Sequence, residues 1–422
     1  MTRGRRDFLR AASVAVAGAL VSRPIRAAKT ASVIVVGGGF AGATAAKYLG
    51  KWSAGALRVT LVERASAFVS CPLSNLVLGG MKEIAELTFP YDGLDRWGVR
   101  RITGEATAID PVARTLKLAG GETLRYDRLI LSPGMDFDWD AIPSLKDPPA
   151  REKILHAWKA GPQTVALRRQ LEAMPDGGVF AMHVPLAPYR CPPAPYERAC
   201  LVAQYFAARK KRSKVIVLDA NEDVQAEKAL FLAAWNGAYK GYVEYRPNSG
   251  LTDVDVAALT AKLDFEDVRA DVLNVIPPQR AGAIARSSGM ANANGRFCQV
   301  DFLTYESTAQ PNIHILGDAI QPASLMPRSG HMANQQAKVC AAAVAALLTG
   351  GEVNRLPVLT SACYSYLSER EVAHIASVHR YDPATRTMSV VPGSGGASPA
   401  ANAEEAAYAA AWAENIWADT LT

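Results

Sequence analysis

The run VIVVGGGFAGATAAKYL (Val33–Leu49), followed by the segment VTLVE that ends at Glu63, constrains the fold more than any other part of the chain. A β-branched run stops at Gly37, the spacing Gly37-x-Gly39-x-x-Gly42 opens a helix pattern, and an acid closes the next strand pattern. That order is the one a βαβ dinucleotide site requires. The first glycine supplies a tight turn, the second lets backbone amides approach a pyrophosphate, and the third lets helix pack on strand. The helix N-terminus then holds the phosphates with its free amides and dipole. Glu63 stands where a carboxylate accepts the ribose hydroxyls of an adenosine. A glycine turn alone is a weak signal; strand, helix, strand and acid in register are a specific one.

Two later segments decide between NAD and FAD. NIHILGDAIQP is a short apolar strand ending in Gly317-Asp318, followed after a loop by a helical run from Ala333 to Leu348. In flavoproteins with two dinucleotide domains such a strand returns to the FAD domain and its aspartate meets the ribityl chain, a role that falls here to Asp318. YDRLILSPGM places Pro133-Gly134 after another strand, as at the crossover into the second domain. The three signals together favour FAD. In the loop and helix after Asp318, Gly330, His331 and Gln335 are expected to approach the flavin, His331 being the weakest because a hydrogen-bonded structural histidine is the commoner case.

The length of 422 residues, half of them apolar, permits two or three domains with their own cores. The net charge of +6 is concentrated at the start: residues 1–28 hold Arg3, Arg5, Arg6, Arg10, Arg23 and Arg26 against Asp7, leaving the remainder at +1. No basic-aromatic stripe suggests nucleic acid. Arg5-Arg6 precedes the apolar run Ala11–Val21, too short to span a bilayer and followed by small residues at Ala27-Ala28. This reads as a twin-arginine export signal over 1–28. It suits a chain that takes up its flavin before crossing the membrane, and the mature protein is expected in the periplasm, without stable membrane insertion.

In that compartment cysteines are candidates for disulfides or covalent chemistry. The six are Cys71, Cys191, Cys200, Cys298, Cys340 and Cys363, with no CxxC pair, no CxxCH haem attachment and no metal-ligand spacing. Cys200 and Cys340 lie in apolar helical runs and Cys298 in a strand-like one, where a thiol is core. Cys71 follows the strand ending at Glu63, in a loop that passes towards the isoalloxazine in this topology. Disulfide reductases carry a CxxxxC pair nearby, but here the position five on is Leu76. One thiol beside a flavin with no second thiol opens the option of a covalent thioether.

Cys191 sits in HVPLAPYRCPPAPYERA, after the strand that begins the second domain. Pro185, Pro188, Pro192, Pro193 and Pro195 stand where a nicotinamide dinucleotide needs glycines and free amides. The next strand still ends in an acid, Asp219, so the fold persists without the phosphate cradle. Cys363, in LTSACYSYL, opens the last domain. For both thiols an inert disulfide or two free thiols are the alternatives to chemistry. Glu197 either handles protons near the site or caps its helix, where acids are favoured in the first turn. Arg190 attracts an anion or forms a surface salt bridge.

Over essentially the whole mature chain the sequence resembles the flavoprotein subunit of flavocytochrome c sulfide dehydrogenase. The resemblance rests on VVGGGFAGATAAKYL, CPLSNLVLGG, LHAWKAGPQTVALRRQLEAM, RCPPAPYERA, VIPPQRAG, HILGDA, PRSGHMANQQAKV and ACYSYL. It implies FAD bound covalently through a cysteinyl thioether, matching Cys71, and a redox-active disulfide at the flavin, matching Cys191 and Cys363. Sulfide attacks this disulfide, the released thiolate attacks the flavin, and electrons leave to a separate c-type cytochrome subunit. Cys200 and Cys340 are less characteristic of that pattern.

The predicted architecture is α/β, a two-dinucleotide-binding-domain flavoprotein of the glutathione reductase type. A Rossmann-type FAD domain takes residues 31–146 and 284–349, a second βα domain without an NAD fingerprint 147–283, and a C-terminal interface domain 350–422. In the tail, Tyr408, Trp412 and Ile416 recur at helical spacing, with Glu404, Glu405, Glu414 and Asp419 among the polar positions. Interfacial helices carry Lys and Arg there instead, so this stripe is expected to pack on protein. Two alternatives stand beside the sulfide dehydrogenase: a quinone-reducing sulfide oxidoreductase with the same flavin chemistry, and a non-catalytic flavin-bearing accessory subunit of a sulfur-oxidising system.

Overall fold

The computed structural model describes residues 30–422. The expected export signal over 1–28 lies outside the described residues.

The apolar run at the start forms β1 (Ala31–Val36), the glycine turn opens α1 (Phe40–Ser53), and β2 (Leu57–Glu63) pairs parallel to β1. A short helix α2 (Ser74–Gly79) follows the loop that carries Cys71. β3 (Arg100–Thr103) and β4 (Arg128–Leu131) join the same sheet. The second domain supplies β5 (Val179–Val184), α3 (Ala194–Arg209), β6 (Lys214–Asp219), β7 (Val243–Arg246) and β8 (Val272–Val275). The chain then returns through β9 (Ile313–Ile315) and α4 (Gly330–Thr349). Last come β10 (Val358–Tyr366), β11 (Val372–Asp382), β12 (Thr387–Val390) and α5 (Ala403–Leu421).

The first parallel sheet has the order β9-β4-β1-β2-β3 and the second the order β7-β6-β5-β8. All but the edge strands β3 and β7 are largely buried, as parallel sheets covered by helices require. The strands Met135–Phe137 and Gln279–Ala281 pair antiparallel and carry the chain out of the first domain and back. The last sheet is antiparallel, with β10 at its edge.

Helix α5 buries Glu405, Ala409, Ala413, Ile416 and Thr420. Of the expected Tyr408–Trp412–Ile416 stripe only Ile416 is buried, Trp412 is half-buried and Tyr408 is exposed, and the rest of the buried face is offset by one residue, to Glu405, Ala409 and Ala413. Alanines form the contact because their small side chains let the helix lie close against its neighbours. Among the described residues no helix is long and apolar enough to cross a membrane.

Candidate active site

The glycine turn is built as its sequence requires. A Cβ on Gly37 would stand 2.2 Å from the Ser132 carbonyl oxygen, and one on Gly42 would stand 1.7 Å from the carbonyl oxygen of Gly37. Gly37 also has φ +94°, which only glycine adopts cheaply. Gly39 has no neighbour within 4 Å of a notional Cβ and is the N-cap of α1 without a side-chain cap. The first helical bond there is Ala43 N–H to Gly39 carbonyl, so the amides of Phe40, Ala41 and Gly42 have no partner within the helix. At this end of the helix lies a cavity of about 390 Å³ lined by Gly37, Gly39, Glu63, Pro133, Gly134 and Lys159, among others. Glu63 accepts hydrogen bonds from Gly38 N at 2.5 Å and Ala65 N at 2.8 Å, which fixes its carboxylate at the cavity wall. Free helix amides, an acid at the end of the second strand and a bare glycine floor are the donor set a dinucleotide flavin needs, so the residues present fit FAD.

A second cavity, of about 90 Å³, is lined by Cys71, Cys191 and Cys363 together. Each thiol arrives from a different part of the chain. Cys71 precedes α2, its carbonyl accepting from Ser74 N at 3.0 Å. Cys191 stands at the mouth of α3 with φ +54°, held by its N–H to the Arg328 carbonyl at 2.9 Å and its carbonyl to Ala194 N at 3.0 Å. Cys363 lies in the middle of β10, opposite Ile375. All six cysteines are free thiols in the structure, so the expected Cys191–Cys363 bridge is not formed in it. The two thiols nevertheless share the cavity and interact: burial pushes the Cys191 thiol well up, and the charge of Cys363 and Glu197 adds to this, while Arg190 opposes it. Burial likewise pushes Cys363 up to about 11, against hydrogen bonds from Ser329 and Ser361. Cys200, Cys298 and Cys340 are buried core residues, Cys298 in an isolated bridge to Ile320 rather than in a strand.

Arg190 lines both cavities. Its guanidinium donates to the Trp158 carbonyl and lies 3.5 Å from Asp318. Both partners of the ion pair are only 15% exposed, so the salt bridge is an internal one and not at the surface. Gln279 anchors the Arg190 backbone N–H at 2.9 Å. Gly317 N–H donates to Gln336 Oε1 at 3.0 Å, on the buried face of α4. Gln335, one residue earlier, is turned about 100° round the helix; it bonds Asn334 and Thr360 and lines neither cavity. Gly330 and His331 line the thiol cavity, where His331 Nδ1 accepts from Ala362 N–H at 3.0 Å.

Glu197 does not cap its own helix. Its Oε1 accepts from Tyr366 N–H at 3.0 Å and its Oε2 from Asn75 Nδ2 at 2.6 Å. Both donors favour the charged form, yet burial outweighs them and raises the carboxyl to about 7. Asn75 also takes Arg198 Nε at 3.0 Å on its carbonyl oxygen, so one amide joins two oppositely charged neighbours. Arg198 is completed by the His156 and Ala157 carbonyls and by Asn274 Oδ1. Burial lowers its pKa to about 9, against the pull of Glu197. Sequence reasoning did not single out Asn75, Arg198, Trp158, Lys159 or Tyr364, and it placed Trp412 only in a packing stripe. Asn75 and Arg198 carried a signal, a polar residue next to Cys71 and a cation next to Glu197; the others owe their place to tertiary packing.

In the second domain Asp219, at the end of β6, accepts from Tyr196 at 2.8 Å, Tyr245 at 3.1 Å and Asn221 at 2.7 Å. The acid that would hold a ribose in a nucleotide domain is thus engaged by three internal donors, and the prolines after β5 leave α3 with a proline N-cap. Among the described residues no cluster of His, Cys, Asp or Glu has metal-binding geometry.

Residues 164–277 match the family model for the central part of the sulfide dehydrogenase (flavocytochrome c) flavoprotein chain, and residues 355–421 its flavin-binding part. Residues 31–162 match the pyridine nucleotide-disulphide oxidoreductase model. A 48-residue stretch is 58% identical to the sulfide dehydrogenase (flavocytochrome c) flavoprotein chain of Chlorobaculum thiosulfatiphilum, covering 11% of this chain and 98% of that sequence. Mitochondrial sulfide:quinone oxidoreductase of Mus musculus is 24% identical over 303 residues, 68% of this chain, and the chain spans 65% of its length. The structure of sulfide:quinone oxidoreductase from Aquifex aeolicus superposes with a TM-score of 0.74 at 16% identity, covering 92% of this chain and 91% of that one, a likeness of fold.

Proposed function

The chain belongs to the flavocytochrome c sulfide dehydrogenase flavoprotein family, and from that premise we propose that it oxidises sulfide at a Cys191–Cys363 pair beside FAD. The observation that carries this reading is one cavity lined by both thiols and by Cys71, joined through Arg190 to the nucleotide cavity.

In the resting enzyme Cys191 and Cys363 are bridged. Hydrosulfide attacks one sulfur of the bridge; that S–S bond breaks, a new S–S bond forms to the incoming sulfur, and the other cysteine leaves as thiolate. The substrate sulfur gives up two electrons in reaching the persulfide level, and the thiol pair holds them. A second hydrosulfide then takes the outer sulfur away as a disulfane anion and frees that cysteine as a thiolate, and FAD, when bound, supplies the acceptor for the two electrons the pair gives up as the bridge re-forms. Arg190 stabilises the departing thiolate, since its charge favours the anionic form of Cys191. Glu197, with a carboxyl near pH 7 and a wall of the same cavity, holds the proton that hydrogen sulfide or a thiol gives up. Low access to water keeps both groups sensitive to their neighbours.

Cys71 is the attachment point for a covalent thioether to the flavin, and the acceptor beyond it is a c-type cytochrome subunit in the periplasm. The likeness to sulfide:quinone oxidoreductases favours one second reading, in which a quinone takes the electrons. Intact mass and peptide mapping of the denatured holoprotein, with and without thiol reduction, test the arrangement. The proposal expects a flavin on the Cys71 peptide and a reducible Cys191–Cys363 link. Release of the flavin on denaturation contradicts the thioether, and thiols fully alkylated without reduction contradict the bridge. Parallel assays with cytochrome c and a soluble quinone separate the two acceptors.

A further inference from the structure

β10 is the open edge of the last sheet, and its hydrogen-bonding pattern leaves a donor over at the thiol cavity. On the neighbouring β11, His374 and Val378 direct their carbonyls away from β10, to Ser398 N–H and Val391 N–H, and Val372 exchanges bonds with Asn402. In antiparallel pairing their partners on β10 point outwards too. The outward N–H groups at and next to the thiol cavity are therefore those of Ala362, Tyr364 and Tyr366. The first donates to His331 Nδ1 at 3.0 Å and the third to Glu197 Oε1 at 3.0 Å. The N–H of Tyr364, midway between them, has no acceptor among the described residues. Four residues of strand span about 13 Å, so between His331 and Glu197 there is room for one small group. A partly buried amide without a partner is costly, and this one follows Cys363 directly on a strand whose residues 362–364 line the cavity.

The other groups there suit an anion. His331 is held below its usual pKa by burial and its Nδ1 is taken up by the Ala362 N–H, leaving the Tyr364 N–H to another acceptor. Arg190 supplies positive charge to the same cavity, and Glu197 stays neutral over part of the neutral range. We propose that the Tyr364 backbone N–H is a binding subsite for the hydrosulfide anion, holding it beside the Cys191–Cys363 pair before attack, an assignment that rests on the sulfide reading above.

Proline at an outward-facing edge position removes a donor without breaking the ladder. Tyr364→Pro therefore deletes the N–H, while Tyr364→Ala deletes the ring and keeps it. Both are titrated with sodium sulfide under anaerobic conditions, following flavin absorbance in the holoprotein. The half-saturating sulfide concentration is expected to rise about tenfold or more in Tyr364→Pro relative to Tyr364→Ala, the weight of one hydrogen bond to an anion. Equal half-saturation in the two variants overturns the subsite. Should Tyr364→Pro fail to fold, the same question is put to Cys191→Ser holoprotein labelled with ¹⁵N-tyrosine. The Tyr364 amide, identified by its loss in the added Tyr364→Phe change, is expected to move downfield with sulfide, and an unmoved amide overturns the proposal. A shifted amide together with a wild-type flavin that sulfide never bleaches supports the anion subsite and overturns the sulfide-oxidation reading alone.

Discussion

Arg190 and Asp318 form an internal ion pair, Nη1 to Oδ2 at 3.5 Å, that ties the residue preceding the thiol Cys191 to the acid following the last strand of the nucleotide sheet. Arg190 lines both cavities, so the charge that steadies a thiolate is itself positioned by an acid of the cofactor domain. Replacing Arg190 by Met leaves Asp318 without its partner and removes the positive charge from Cys191. The expected outcome is a loss of about 1–3 kcal/mol of stability, as for a poorly exposed group deprived of its hydrogen-bond partner. The pH midpoint for alkylation of Cys191 in the reduced protein also moves up. Denaturant titration and iodoacetamide rates measured across pH check both.

Glu197 gives stability a pH dependence with a definite sign. In the unfolded chain its carboxyl releases the proton near 4.5, whereas in the folded protein burial retains it until about 7. Between those values the native state binds more protons, so this group's contribution falls as pH rises, by about 3 kcal/mol at most. Glu197→Gln removes the effect. The difference in melting temperature between variant and wild type, followed from pH 4.5 to 7.5, is expected to shift steadily in favour of the variant.

Asn75 serves Glu197 and Arg198 at once, at 2.6 and 3.0 Å. Asn75→Leu leaves a buried carboxylate oxygen and a buried guanidinium N–H without partners, at an expected cost of about 2–5 kcal/mol. Because Asn75 also lies between the Cys71 loop and α3, retention of flavin is expected to fall with stability. Equilibrium unfolding and flavin content per chain measure the two effects.

The glycines divide by role. Gly42→Ala drives a Cβ into the Gly37 carbonyl and is expected to destabilise the whole first domain, whereas Gly39→Ala meets no atom within 4 Å. The flavin-free Gly39→Ala protein should match wild type to within about 0.5 kcal/mol. Its flavin content is expected to drop, because the added methyl stands where the pyrophosphate approaches the helix amides.

The nucleotide half of the site was legible in the sequence because each requirement there is local: a positive φ at Gly37, close packing at Gly42, and an acid ending a strand at Glu63. The thiol half was legible only as three loop cysteines with unusual neighbours. That they line one cavity depends on pairing residues far apart in the chain, which no local pattern specifies. Gln336 rather than Gln335 holds Gly317, a single step round α4 that spacing alone leaves open. The offset of the buried face of α5 has the same origin: alanines at 409 and 413 decide the contact through small size, and hydrophobic periodicity gave that no weight. The Tyr364 amide was out of reach altogether, since an unpaired backbone donor is a property of sheet edges and not of residue types.

The central claim is that electrons enter through the Cys191–Cys363 pair, and anaerobic sulfide titration of flavin absorbance in Cys191→Ser beside wild type tests it most directly. The account predicts that wild type bleaches with sulfide while Cys191→Ser retains its flavin unbleached at the same concentrations. Bleaching of Cys191→Ser at the wild-type rate would contradict it, because sulfide would then be delivering electrons without the bridge.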